Sequence, residues 1–200
     1  MPKSRLDQLI VSRGLAQSRE RARALILAGD VTVEGRPAAK AGTFVDDTAA
    51  ITLRQADHPW VGRGGIKLAH ALTAFHLDVT GRVALDIGAS TGGFTDVMLS
   101  RGALKIVAVD VGKGQIDWRL RTDARVVTIE GVNARHLRPE DLPEALRTFD
   151  VITIDVSFIS LRHILPVVPG RMRPGARVLA LVKPQFEAGR DDVGPGGIVR

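Results

Sequence analysis

Two hundred residues and a mass of 21.5 kDa leave room for one ordinary domain, or for a small one followed by a medium one. With 44% apolar and 25% charged residues the chain has the composition of a folded protein. No apolar run approaches the roughly 20 residues of a membrane helix, and the lack of cysteine removes disulfides, thiolate nucleophiles and cysteine-held zinc. The net charge of +6, with 22 arginines among 28 cations, points toward a polyanionic partner, although a coding bias favouring arginine has the same signature. Met1-Pro2-Lys3-Ser4-Arg5 is not followed by the apolar core of a signal peptide, which fits a cytoplasmic protein, with no membrane expected among its partners and no metal in its site.

In chain order, Ser4-Arg5-Leu6-Asp7 reads as a capping box ahead of a helix carrying Leu6, Leu9 and Ile10, which stops at Gly14. Ser18 is placed to cap a second helix with Ala22, Leu25 and Ile26 on one face and Gly29 at its end. Short strands follow at Val31-Thr32-Val33 and Ala50-Ile51-Thr52-Leu53, with a turn at Glu34-Gly35. Arg19 and Arg23 lie one turn apart and can form a paired basic surface, or simply a solvated helix face. The series Arg5-Leu6-Asp7, Gly14-Leu15, Ser18-Arg19, Ala22, Leu25-Ile26, Gly29-x-Val31-x-Val33 and Lys40 resembles the small RNA-binding domain of ribosomal protein S4. That resemblance implies an RNA-gripping face, here assigned to Lys3, Arg5, Arg19, Arg23 and Lys40, working by phosphate contact and shape. Glu34 departs from the asparagine usual before the turn glycine, a variation of little consequence.

Residues 1–54 are therefore expected to form this domain, 55–63 a linker broken by Pro59 and glycines, and 64–200 a second domain. From Arg82 onward, apolar strands alternate with amphipathic stretches. The strands are placed at Val83-Ala84-Leu85-Asp86-Ile87, Ile106-Val107-Ala108-Val109-Asp110, Val126-Val127-Thr128-Ile129, Val151-Ile152-Thr153-Ile154-Asp155 and Val178-Leu179-Ala180-Leu181-Val182. Phe94, Val97 and Met98 supply one helix face, Leu142 and Leu146 another. Near-continuous β-branched runs joined by helices predict an α/β fold, a doubly wound parallel sheet covered on both faces.

Ligands of such sheets bind beyond the C-terminal strand ends, where Asp86, Asp110, Asp155 and Lys183 fall. The loop Gly88-Ala89-Ser90-Thr91-Gly92-Gly93-Phe94 lacks the spacing of a phosphate loop and of the dinucleotide fingerprint. Asp110, 22 residues beyond Gly88, is where an acid takes ribose hydroxyls, so a nucleoside-containing ligand competes here with a plain structural turn. Lys67 lies in the first turn of a helix, where the macrodipole disfavours a cation, yet a surface lysine would look the same. Lys183 closes an apolar strand; beside a second lysine, and partly desolvated, a lysine becomes able to take a proton from a ribose hydroxyl, while Asp155 opposes that change and orients the ammonium.

Arg63-Gly64-Gly65-x-Lys67-Leu68, Asp86 to Phe94, Ile154-Asp155-Val156-Ser157-Phe158-Ile159-Ser160 and Lys183-Pro184-Gln185-Phe186-Glu187, behind an S4-like domain, resemble the TlyA (hemolysin A-like) family of rRNA cytidine-2′-O-methyltransferases with an FtsJ-like catalytic domain. The resemblance covers essentially the whole chain. It implies a Rossmann-like class I sheet, S-adenosylmethionine as cofactor, ribosomal RNA within ribosomal subunits as partner, and Lys67, Asp155 and Lys183 as catalytic residues. It also implies cofactor contacts from Asp86, Gly88, Ala89, Ser90, Thr91, Gly92, Gly93, Phe94, Asp110 and Asn133. The family's catalytic glutamate lies downstream of a segment matching Gly196-Gly197-Ile198-Val199-Arg200, so the resemblance implies a sheet cut short; Glu187 belongs to the lysine motif and is not assigned that role. The competing expectations are a catalytically silent rRNA-binding or assembly factor and, from the family's name, a cytolysin.

Overall fold

The structure, a computed structural model, describes residues 2–16, 18–27, 29–38, 40–54 and 58–199, and the chain divides into two compact units, residues 1–59 and 60–200. The first unit contains β1 (Lys3–Arg5), α1 (Leu6–Ser12), α2 (Arg19–Leu27), β2 (Val31–Val33), β3 (Arg36–Pro37), β4 (Phe44–Asp46) and β5 (Ile51–Leu53). β1 and β4 form an antiparallel pair, and the order β3-β2-β5 makes a second antiparallel sheet. Leu6, Leu9, Ile10, Ala22, Leu25, Ile26, Val31 and Ile51 close one core, so the apolar spacing read from α1 and α2 is the spacing that packs.

The expected capping box is not what starts α1. β1 occupies Lys3–Arg5, no side chain caps the helix, and the Asp7 carboxylate turns to Arg5 and Arg19 instead. An arginine fork outcompetes a neutral backbone N–H for a buried carboxylate because both of its oxygens can be matched at once. Ser18 does cap α2, accepting from Arg21 N at 3.1 Å. At the Glu34-Gly35 turn both residues adopt positive φ, and Glu34 offsets its strain by accepting from Ala50 N at 2.5 Å.

The second unit contains α3 (Gly64–Ala74), β6 (Val83–Ile87), α4 (Gly93–Ser100), β7 (Lys105–Asp110), α5 (Trp118–Arg121), β8 (Val126–Glu130), β9 (Phe149–Ile154), β10 (Met172–Ala180) and α6 (Pro184–Glu187). The five strands form one wholly parallel sheet in the order β10-β9-β6-β7-β8. Alternate side chains enter opposite layers. Ala84, Ile106 and Ala108 meet Leu68, Leu72, Val97 and Met98 of α3 and α4, while Leu85, Val107, Val109 and Ile152 meet Leu137, Leu142, Ile164 and Val168.

That second layer departs from expectation. Leu142 and Leu146 do not lie on an α-helix; residues 134–146 and 161–171 form short 3-10 turns, interrupted by Pro139, Pro143, Pro166 and Pro169, whose missing N–H groups prevent a continuous helix. The last strand also differs: β10 starts six residues before the expected Val178 and ends at Ala180, so Lys183 lies beyond the strand. Among the described residues β9 is the one neighbour of β10, and Val178 and Val182 are exposed rather than covered. Trp60 and Val61, expected in the linker, pack onto the second unit, with Trp60 against Gly65 and Val61 N donating to Asp96 Oδ2 at 2.8 Å.

Candidate active site

The strand order reverses direction at β6, between β9 and β7, which opens a crevice beyond the C-terminal ends of these strands. The loops after β6, β7, β8, β9 and β10 all reach this end, and two adjoining cavities occupy it. One, of about 520 Å³, is lined by Gly88, Ser90, Asp110, Asn133, Asp155 and Phe158 among others. The smaller, of about 190 Å³, is lined by Lys67, Ala89, Thr91, Gly93, Phe94 and Lys183 among others, and shares Gly88, Ser90, Asp155 and Ser157 with the first. A separate cavity of about 250 Å³ lies at the opposite sheet end, beside Arg82, Asp150 and Arg177, away from these loops.

The glycine loop is shaped by contact. Gly88 has φ +83°, and a Cβ there would lie 2.6 Å from the Asp155 carbonyl oxygen, so only glycine lets the loops after β6 and β9 touch. Asp110 anchors the loop from the next strand: its Oδ2 accepts from Ser90 N and its Oδ1 from Gly112 N, both at 2.7 Å. Asn133 caps the turn that follows β8, its Oδ1 accepting from Arg135 N at 3.0 Å. Its side-chain amide N–H₂ therefore remains the group to offer a ligand in the cavity it lines.

Two residues assigned to the ligand do not line either cavity. Asp86 is wholly buried inside β6, where its carboxylate accepts from Thr95 Oγ1 (2.7 Å) and Thr153 Oγ1 (2.9 Å), tying β6 to α4 and β9. Burial pushes this carboxyl up to about 6, against the opposing pull of the two threonine hydroxyls, and the nearby Asp155 charge adds to the rise. Position at a strand end suggested a ligand contact; alternation along the strand turns the side chain inward instead. Gly92 is likewise buried, the left-handed residue before α4, packed against Leu120.

Three charged side chains converge at the smaller cavity. Lys183 Nζ stands 2.6 Å from Asp155 Oδ1 and donates to Ser157 Oγ at 2.7 Å; Lys67 Nζ reaches the other carboxylate oxygen, Oδ2, at 3.5 Å. Asp155 and Lys183 are mostly buried, whereas half of the Lys67 side chain is exposed. One carboxylate thus bridges two lysines from α3 and the segment after β10, leaving the cluster net positive at the cavity wall. Glu187 lies elsewhere: it accepts from Ser160 Oγ (2.6 Å) and Leu161 N (2.8 Å), pinning the loop after β9 to α6.

Phe158, assigned no role from its residue type, also lines the larger cavity. It has φ +63°, a conformation aromatic side chains rarely adopt, is 91% exposed, and its ring lies 5.3 Å from that of Phe186, tilted by 46°. The only sequence signal was its place two residues after Ser157's neighbour Val156, within the Asp155 motif.

Residues 60–200 match the FtsJ-like methyltransferase family and residues 4–51 match the S4 domain. Over 198 residues the chain is 50% identical to the 16S/23S rRNA (cytidine-2′-O)-methyltransferase TlyA of Mycobacterium tuberculosis, covering 98% of this chain and 73% of that protein. The chain belongs to the TlyA family of FtsJ-like methyltransferases. Other members carry a different name: Hemolysin A of Brachyspira hyodysenteriae is 42% identical over 196 residues, 98% of this chain and 80% of its own length. A solved structure from Streptococcus thermophilus, described as a hemolysin, superposes with a TM-score of 0.72 at 46% identity, covering all of this chain and 72% of that one. Among the described residues of this TlyA-family chain, no helix is long and apolar enough to cross a membrane.

Methyltransferases of this family use S-adenosylmethionine, and the crevice suits such a group. The larger cavity is of ligand size, its floor at Gly88 admits close backbone approach, and Asp110 and Asn133 place polar atoms along one wall.

Proposed function

We propose that this protein methylates the 2′-oxygen of cytidine ribose in 16S and 23S rRNA, with S-adenosylmethionine as methyl donor and ribosomal subunits in the cytoplasm as the setting. The observation that carries this reading is the Asp155 carboxylate held between Lys67 and Lys183, at the wall shared by the two cavities.

Gly88, Ser90, Asp110 and Asn133 would hold the cofactor in the larger cavity, the glycine by backbone approach and the aspartate and asparagine by polar contact with its nucleoside part. When bound, the group supplies an electrophilic methyl carbon on a sulfonium. The residues of this chain do the rest. A ribose 2′-hydroxyl entering the smaller cavity would meet Lys183. Once that lysine has given its resting proton to solvent, the neutral Nζ would take the hydroxyl proton as the oxygen–methyl bond forms and the methyl–sulfur bond breaks, its electron pair staying on sulfur. Asp155 and Ser157 hold that nitrogen in place from two sides, and the Lys67 ammonium faces the oxygen as negative charge builds on it. Positioning dominates an in-line displacement of this type, and a wall built from three separate loops supplies it. The exposed Phe158 ring offers a flat face on which the target base can stack. On the S4 unit, Lys3, Arg5, Arg19, Arg23 and Lys40 supply cations for the RNA backbone.

The test is incorporation of labelled methyl groups into purified, unmethylated bacterial ribosomal subunits. Incorporation at a cytidine 2′-oxygen by the wild-type chain, abolished in Lys183→Ala, is the expected result. Retained RNA binding with no cofactor binding and no incorporation would overturn it in favour of a silent rRNA-binding factor.

A further inference from the structure

We propose that Asp7 is a positioning residue that fixes Arg5 and Arg19 as a preformed fork for a phosphodiester of structured RNA. The inference rests on the rRNA reading above and assigns a role to a residue which that reading leaves unused.

Asp7 sits in the first turn of α1, wholly buried beside Leu6, Leu9 and Ile10. A carboxylate in such a place is costly unless paired. Its pairing is built from two elements: Arg5 Nε donates to Oδ1 (3.1 Å), Arg5 Nη2 to Oδ2 (3.0 Å), and Arg19 Nη2, from α2, also to Oδ2 (3.2 Å). These cations hold the carboxyl down at about 2, despite burial.

Arg5 is constrained on a further side. Its guanidinium closely approaches Gly42, where a Cβ would fall 3.3 Å from both Nη1 and Nη2. The backbone beneath is locked as well, with Leu6 N donating to Thr43 O (2.8 Å) and Asp7 N to Ala41 O (3.0 Å). Both arginines nevertheless stay partly open to solvent, 36% for Arg5 and 49% for Arg19.

A guanidinium carries five N–H donors. Asp7 takes two from Arg5 and one from Arg19, so each keeps donors for an incoming phosphate, and two cations against one carboxylate leave the pair net positive. An unrestrained arginine loses rotamer freedom when it grips phosphate. Arg5, held by two bonds and the Gly42 wall, has lost much of it on folding, and Arg19 part of it through its bond to Asp7, so less of that cost falls on binding. Stability alone does not explain the arrangement, because a buried ion triad gives little over well-packed apolar residues.

The proposal makes a prediction of opposite sign to simple electrostatics. Removing a negative charge beside two phosphate-binding arginines should tighten binding to a polyanion; removing a positioning group should weaken it. The experiment measures binding of the full chain to purified bacterial ribosomal subunits, for wild type, Asp7→Asn, Gly42→Ala and the control Asp46→Asn, with a thermal melt for each. Asp46 is a half-buried carboxylate held by Thr48 and by no arginine hydrogen bond among the described residues. About tenfold weaker binding is expected for Asp7→Asn and several-fold for Gly42→Ala, whose charge is unchanged, while Asp46→Asn binds equally or more tightly. Folded Asp7→Asn that binds as well as wild type or better overturns the fork. Should Asp7→Asn not fold, unchanged affinity in Gly42→Ala overturns it alone. No binding by wild type overturns the rRNA reading and the fork together, whereas wild-type binding with unaffected variants removes the fork only.

Discussion

The carbonyl oxygen of Asp155 occupies the place where a side chain on Gly88 would begin, 2.6 Å from an ideal Cβ. The loop assigned to the cofactor and the residue assigned to the reaction are therefore in backbone contact, and neither can move without the other.

Gly88→Ala should then act through Asp155 as well as through its own backbone. Left-handed strain alone costs about 1–3 kcal/mol; displacement of Asp155 is added, so both melting temperature and cofactor affinity should fall. Gly81→Ala is the control, with φ +67° and open space where its Cβ would go. It should lose stability from strain yet keep cofactor affinity, as read by calorimetric titration. Equal cofactor affinity in both variants would refute the coupling.

Lys183 and its replacements separate proton transfer from charge. Lys183→Ala should lower the single-turnover methylation rate by about two to four orders of magnitude. Lys183→Arg keeps a cation near Asp155 but cannot accept a proton, since guanidinium stays charged in proteins. It should be nearly as slow as alanine. An arginine variant with close to wild-type rate would show that only the positive charge matters.

Asp110 joins two loops by accepting from Ser90 N and Gly112 N. Asp110→Asn removes the charge that strengthens both bonds, each worth about 1.5–3 kcal/mol when the acceptor is ionised. Cofactor dissociation constants should rise by at least tenfold while RNA affinity is unchanged; a parallel loss of both would point to general unfolding instead.

Asp86 makes stability depend on pH in a direction opposite to most carboxylates. Its folded-state value of about 6 lies above the ordinary 3.8, so between these values the native protein binds more protons than the unfolded chain. The contribution is fully present below pH 3.8 and is lost as pH rises through 6, about 3 kcal/mol in total at the limit. Urea denaturation of wild type and Asp86→Asn across pH 4 to 7 tests this. The stability difference between them should shift in favour of the asparagine variant as pH rises; a pH-independent difference would rule the assignment out.

Much of this molecule is determined by local physics and could be read from the chain. The helices α1, α2, α3 and α4 carry apolar residues at helical spacing, Ser18 caps α2, and β6, β7 and β9 are apolar, mostly β-branched runs covered on both faces, whereas β8 is only half-buried beyond Val126. The charges at the end of β7 and after β9 and β10 marked the crevice for the same reason, since a charge interrupting an apolar run must face solvent or a partner.

What the sequence could not decide depends on partners distant along the chain. Whether Asp86 faces the ligand or the core turns on Thr95 and Thr153, 9 and 67 residues away. Whether Asp7 closes a capping box or a two-arginine fork turns on Arg19 and the wall at Gly42. The exposure of β10 depends on which strands lie beside it, which no window of its own residues encodes. Lys67 could be told from a surface lysine only once α3 brought it to Asp155, 88 residues further on. Periodicity sets which face of an element is apolar; which polar groups meet is settled only when those faces close on one another.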